Sequence, residues 1–113
     1  MQPEDLVRIR HMFDATKSIC RFVAGRARED LDSDEMLLFA VVHALQIIGE
    51  AASKVSAEGQ ERAPNIPWRE AIGIRHRLVH AYFDVDRNIV WKTATEAIPP
   101  LMAALDAIVS APD

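Results

Sequence analysis

Residues 75 to 82 read RHRLVHAY and bring together side chains suited to chemistry on an anionic substrate: Arg75, His76, Arg77, His80 and Tyr82. An imidazole with a pKa of about 6.5 moves protons at neutral pH. A guanidinium holds a phosphoryl oxygen bidentately and stabilises the charge that develops on it. The pair suits cleavage of an RNA phosphodiester. His80 would activate the 2'-hydroxyl or protonate the leaving 5'-oxygen, Arg75 would hold the phosphate, and Tyr82 would help to position it. Metal binding is the rival chemistry, because His76 and His80 are one helical turn apart. A zinc site needs further ligands, however, and no glutamate completes an H-E-x-x-H arrangement, so no metal is expected. An Arg and a His at this spacing also describe a plain cationic interaction face.

These residues need an element to carry them. Pro67 suits the first turn of a helix running from Trp68 to about Tyr82. On a regular helix of about 100° per residue, Trp68, Ala71, Ile72, Leu78 and Val79 form an apolar stripe. Arg75 and Tyr82 fall within it, while Arg69, Gly73, His76 and His80 fall on a neighbouring stripe. An arginine on a buried face is costly unless it is paired or faces a cleft. A buried ion pair with a carboxylate such as Glu50 is one solution. A twofold dimer whose two helices line a common cleft is another, since an isologous interface duplicates each group across the axis.

The rest of the chain reads as helices too. Pro3, Glu4 and Asp5 open a first helix whose apolar positions Leu6, Ile9, Phe13, Cys20 and Val23 lead to a turn at Gly25. Asp32 and Glu35 form a capping-box-like start for a second, central helix through Val55. Its polar residues His43, Gln46, Glu50 and Ser53 make one narrow stripe, either a solvent-facing edge or the lining of a site. AEGQERAPNIP reads as a loop. Asp86 can cap a last helix, which Pro99 and Pro100 must kink or restart. With no strand, repeat or low-complexity segment, the expected architecture is a single all-α domain over residues 1–113, an antiparallel bundle of four to five helices.

Composition narrows the setting. Hydrophobic residues make up 50% and aromatics only 6%, which favours close-packed helices over sheet. The single cysteine, Cys20, excludes an internal disulfide framework and points to a reducing compartment, hence the cytoplasm. The N-terminus does not read as a signal peptide, and the apolar run from Leu37 to Ile48 is interrupted and too short for a span, so no membrane partner is expected. A net charge of -4 argues against wholesale attraction to nucleic acid, yet Arg69, Arg75 and Arg77 share a stretch whose only acid is Glu70.

The run R-x4-H-x-Y from Arg75 through His80 to Tyr82, with LVHAYFDVD around it, resembles the HepT family of HEPN-domain toxins. IGEAA at 48 to 52, IPWRE at 66 to 70, Val90-Trp91 and Pro100-Leu101 resemble the family pattern in the same order, so the likeness spans nearly the whole chain. The resemblance implies a HEPN-like helical homodimer in which Arg75 and His80 of both subunits meet in a cleft and act as a metal-independent endoribonuclease. It needs no cofactor of its own. It also implies a partner, an MntA-like nucleotidyltransferase antitoxin that AMPylates Tyr82 with ATP as the AMP donor; the charged adduct would obstruct the cleft. His76, Arg77, Arg69 and Glu50 would support that cleft. His76 stands where the family usually has Asn, exchanging a neutral amide for a titratable ring. The alternative function is a non-catalytic helical dimer that serves such a nucleotidyltransferase as substrate or regulatory subunit.

Overall fold

A computed structural model describes residues 1–79 and 84–111, and among these it is all-α. The long first helix, α1 (Pro3–Val23), starts with Pro3 in its first turn and Glu4 and Asp5 at the positive end of its dipole. It ends where Gly25 takes φ 72°, a left-handed conformation that glycine adopts without a Cβ penalty. A one-turn helix, α2 (Asp30–Ser33), follows, then the central helix α3 (Glu35–Lys54). The cap of α3 is Asp34, which accepts from the Leu37 amide at 3.1 Å, rather than Asp32. Asp32 is instead engaged by Arg28 at 2.9 Å.

α3 buries Leu37, Leu38, Val41, Ala44, Leu45, Ile48, Gly49, Ala51 and Ala52, and is the core helix the sequence implied. By length and composition alone it could cross a membrane, but half of its apolar stretch is buried inside this bundle. Its pairing with α1 is antiparallel, because Asp5 at the start of α1 meets Ser56 just beyond the end of α3. The buried Asp5 carboxylate accepts from the Ser56 amide at 2.9 Å and from its hydroxyl at 2.6 Å. Ser56 Oγ also caps α4 (Ala57–Arg62), accepting from the Gly59 amide at 3.0 Å. The segment expected as loop therefore holds a short helix, nucleated by a side chain already fixed by Asp5.

The expected single helix over 68 to 82 is two pieces, α5 (Trp68–Ile72) and α6 (Ile74–Leu78), broken at Gly73. Trp68 moors α5 by donating its indole N–H to the carbonyls of Ala63 at 3.0 Å and Gln60 at 3.2 Å. After α6, Val79 and Val85 form an isolated antiparallel bridge and the Asp86 amide donates to Leu78 O at 2.9 Å. Asp86 caps α7 (Arg87–Lys92) as expected, accepting from the Ile89 amide at 3.1 Å.

Pro99 and Pro100 supply no amide donors, so the carbonyls one turn earlier cannot continue an α-helical ladder. The chain answers with a π-helical turn at Thr93–Ala97, in which the Ile98 amide reaches back to Thr93 O, and then restarts as α8 (Ile98–Val109). The start of α7 is tied to the α1–α3 corner by Arg28, which donates to Asn88 Oδ1 at 2.6 Å, and α8 then packs back along α1. The core is continuous from Ile9, Met12 and Ile19 through Leu45 and Ile48 to Leu78, Ile98 and Leu105.

The two ends of the α1–α3 pair respond to acid for one reason. Hydrogen bonds from Ser56 hold the Asp5 carboxyl below the usual carboxylate range, and Arg26, at 2.7 Å, does the same for Asp34. A carboxylate whose pKa is depressed by folding contributes its full stabilisation at neutral pH. That contribution is lost as pH falls through the ordinary carboxylate value toward the lower folded one. Asp5→Asn is therefore expected to melt at a lower temperature than the parent at pH 7, with the gap narrowing below about pH 4. A gap that stays constant in melting curves between neutral and strongly acidic pH would remove Asp5 from the acid response.

Candidate active site

The site begins with a close approach. A Cβ added to Gly49 would lie 3.2 Å from Ile74 Cγ2 and 3.3 Å from Ala71 O, so the missing side chain lets the α5–α6 junction rest against the backbone of α3. On the α5–α6 side the buried positions are Ala71, Ile74 and Leu78. This corrects the stripe expected from one regular helix. At Gly73, with φ -83° and ψ 6°, the chain leaves α-helical geometry, and Ile74 rather than Arg75 takes the inward position.

Arg75 is consequently exposed, and among the described residues its side chain has no hydrogen bond or ion pair. The buried ion pair with Glu50 does not form: Glu50 is exposed as well. Both instead line one open groove of about 410 Å³, within the roughly 300–1,000 Å³ range of small-ligand sites. One wall is the polar stripe of α3, with Gln46, Glu50 and Ser53 above and below Gly49. The other is Ile72, Arg75 and His76. The stripe is thus both a solvent-facing edge and the lining of a groove. Ser53 donates its hydroxyl to the Glu50 backbone carbonyl at 2.7 Å, and among the described residues the Glu50 carboxylate has no hydrogen-bond or ion-pair partner.

The predicted residues are therefore divided. Arg75, His76 and Glu50 share the groove. Arg77 points away from it, donating to Glu70 O at 3.3 Å and lining a separate depression beside Ile89, Lys92 and Glu96. Arg69 is exposed on α5 and does not line the groove. His80 and Tyr82 lie outside the described residues. Among the described residues no three His, Cys, Asp or Glu side chains converge in a way that could hold a metal ion.

The model of the HepT-like ribonuclease family matches residues 12–108, which include every residue that lines the groove and the R-x4-H-x-Y run. The chain belongs to the HepT-like ribonuclease family. It is 42% identical over 88 residues to the probable ribonuclease HepT of Thermococcus cleftensis, covering 78% of this chain and 80% of that one. It is 36% identical over 93 residues to a protein of Caldanaerobacter subterraneus named as a putative RNase, covering 82% and 83%. A protein of Methanocaldococcus jannaschii with the same designation is 29% identical over 97 residues, covering 86% and 89%. No solved structure gives a significant match.

For this HepT-like chain, sequence reasoning missed Gly49 and Ile72 as groove residues and weighed Gln46 and Ser53 only as members of a stripe. The period of that stripe was the available signal. The groove's second wall depends on the break at Gly73.

Two substitutions separate packing from chemistry here. Gly49→Val forces methyl groups into the α3 contact with Ile74 and Ala71 O, and is expected to cost about 1–3 kcal/mol in urea unfolding. Arg75→Ala, at an exposed side chain unpaired among the described residues, is expected to change stability by no more than about 0.5 kcal/mol. If Arg75→Ala unfolded the protein, the buried-pair role would return.

Proposed function

We propose that this HepT-like protein is the toxin of a HEPN/minimal nucleotidyltransferase toxin–antitoxin pair, a metal-independent endoribonuclease with Arg75 and His80 as its catalytic residues. One observation carries the reading. Arg75 lines a groove of ligand size and is unpaired among the described residues, in a chain of the HepT-like ribonuclease family. An exposed guanidinium with no internal carboxylate keeps its full hydrogen-bonding fork for a phosphate.

In this reaction the ribose 2'-oxygen attacks the adjacent phosphorus and the bond to the 5'-oxygen breaks, giving a 2',3'-cyclic phosphate and a 5'-hydroxyl end. His80 takes the proton from the 2'-hydroxyl or delivers one to the leaving 5'-oxygen. Arg75 stabilises the charge on the phosphoryl oxygens. His76, on the same wall, is a second titratable group beside the phosphate.

The protein works as a twofold homodimer in the cytoplasm. Support for the dimer comes from the outer stripe of α3, where Met36 is 83% exposed and Phe39 62% exposed, in line with His43 and with Gln46 and Glu50 of the groove wall. Its partner is an MntA-like nucleotidyltransferase that uses ATP to AMPylate Tyr82, adding charge and bulk where RNA phosphate enters.

Purified protein is expected to cleave RNA in the presence of a chelator, with Arg75→Ala and His80→Ala each lowering the rate by at least about 100-fold. Co-expression with the partner should add the mass of AMP, and Tyr82→Phe should abolish that addition. Absence of cleavage from several RNAs, or full activity in both alanine variants, would overturn the ribonuclease assignment and leave the non-catalytic partner subunit as the better reading.

A further inference from the structure

Glu50 belongs to two grooves. On one side of α3 it faces Arg75 and His76; on the other it borders a shallower depression of about 110 Å³ between α1 and α3, edged by Arg8, His11 and Lys54. Antiparallel pairing brings these cationic groups together: Arg8 and His11 are one turn apart on α1, and Lys54 is one turn beyond Glu50 on α3. Among the described residues none of the three forms an ion pair, whereas Lys17, Arg26, Arg28, Arg62 and Arg87 each meet a carboxylate. In a chain of net charge -4, an unneutralised cationic cluster beside the candidate site stands apart.

We infer that Arg8, His11 and Lys54 form a second phosphate subsite, which takes a phosphate of the same single RNA strand whose scissile phosphate sits at Arg75. The two grooves flank the Glu50 position, which is about one helix diameter across at most, a distance that neighbouring nucleotides can bridge. The Glu50 carboxylate repels phosphate from the ridge between them and can accept a hydrogen bond from a ribose 2'-hydroxyl there, a group DNA lacks. The cationic subsite holds backbone and carries no base preference. It rests on the ribonuclease reading for the identity of the strand, while its own residues lie on α1 and the end of α3, away from Arg75.

The test is binding of a short single-stranded RNA, made non-cleavable by 2'-O-methylation at every sugar, followed by anisotropy across a salt series. Lys54→Ala with His11→Ala, both at exposed positions, is compared with Arg8→Ala and with Arg75→Ala; melting curves identify any variant that fails to fold. The subsite predicts that Lys54→Ala/His11→Ala weakens binding about tenfold, the weight of one charge-assisted hydrogen bond. It also predicts that the slope of log affinity against log salt becomes shallower by about 0.7 for each phosphate the variant no longer neutralises, whatever the base sequence. If the double variant binds RNA as the parent does while Arg75→Ala does not, the subsite is wrong and the ribonuclease reading survives. If the double variant loses RNA binding while Arg75→Ala retains both binding and cleavage, the subsite stands and the catalytic assignment fails. No RNA binding at low salt by the parent overturns the subsite.

Discussion

The contact at Gly49 is the constraint on which the site depends. A core helix normally keeps its neighbours at a distance set by side chains, about 8–10 Å between axes. Removing one side chain lets the α5–α6 junction settle against α3, with Ile74 Cγ2 and two carbonyls, those of Ala71 and Ile72, close to where a Cβ would stand. That approach presents the polar stripe of α3 to Arg75 and His76 across an open groove. The break at Gly73 completes it. Because the chain leaves the helix there, the short α6 buries Ile74 and Leu78 while its arginines stay outside.

Polar contacts then fix the ends of the bundle that carries this groove. At one end Asp5, Ser56 and the Gly59 amide join α1, α3 and α4; a Cβ on Gly59 would fall 2.6 Å from an Asp5 oxygen, so the glycine makes room for the buried carboxylate. At the other, Arg26 meets Asp30 and Asp34, and Arg28 meets Asp32 and Asn88. Exposed ion pairs of this kind are each worth little. Their value lies in geometry, since Arg28 connects the α1–α3 corner to the start of α7. From there the chain passes through the π-helical turn into α8 and back over the core.

The electrostatic design is local. An acidic chain repels polyanions at long range, which limits non-specific binding, and two groups of its cations, Arg75 with His76 and Arg8 with His11 and Lys54, border the two grooves that share Glu50. Pairing Arg75 with Glu50 inside the fold would have spent the guanidinium on stability. Kept apart and exposed, each retains its hydrogen-bonding capacity.

The sequence by itself determined the all-α class, the starts of α1 and α7, the identity of α3 as core helix and the need for a restart before α8. Each follows from local rules: periodic apolar positions, capping by Asp86, missing amides at Pro99 and Pro100. The R-x4-H-x-Y run also disclosed the family. Local rules could not show that Asp34 rather than Asp32 caps α3, because Arg28 and Arg87 compete for Asp32. Nor could they show that 57 to 62 is helical, because Ser56 is held by a residue 51 positions away. The exposure of Arg75 was decided by tertiary structure alone. A wheel drawn on an unbroken helix puts it among Ile72 and Leu78, but burial is chosen by the surface available to pack against. The backbone of α3 at Gly49 admits Ile74, and the guanidinium is left to the groove.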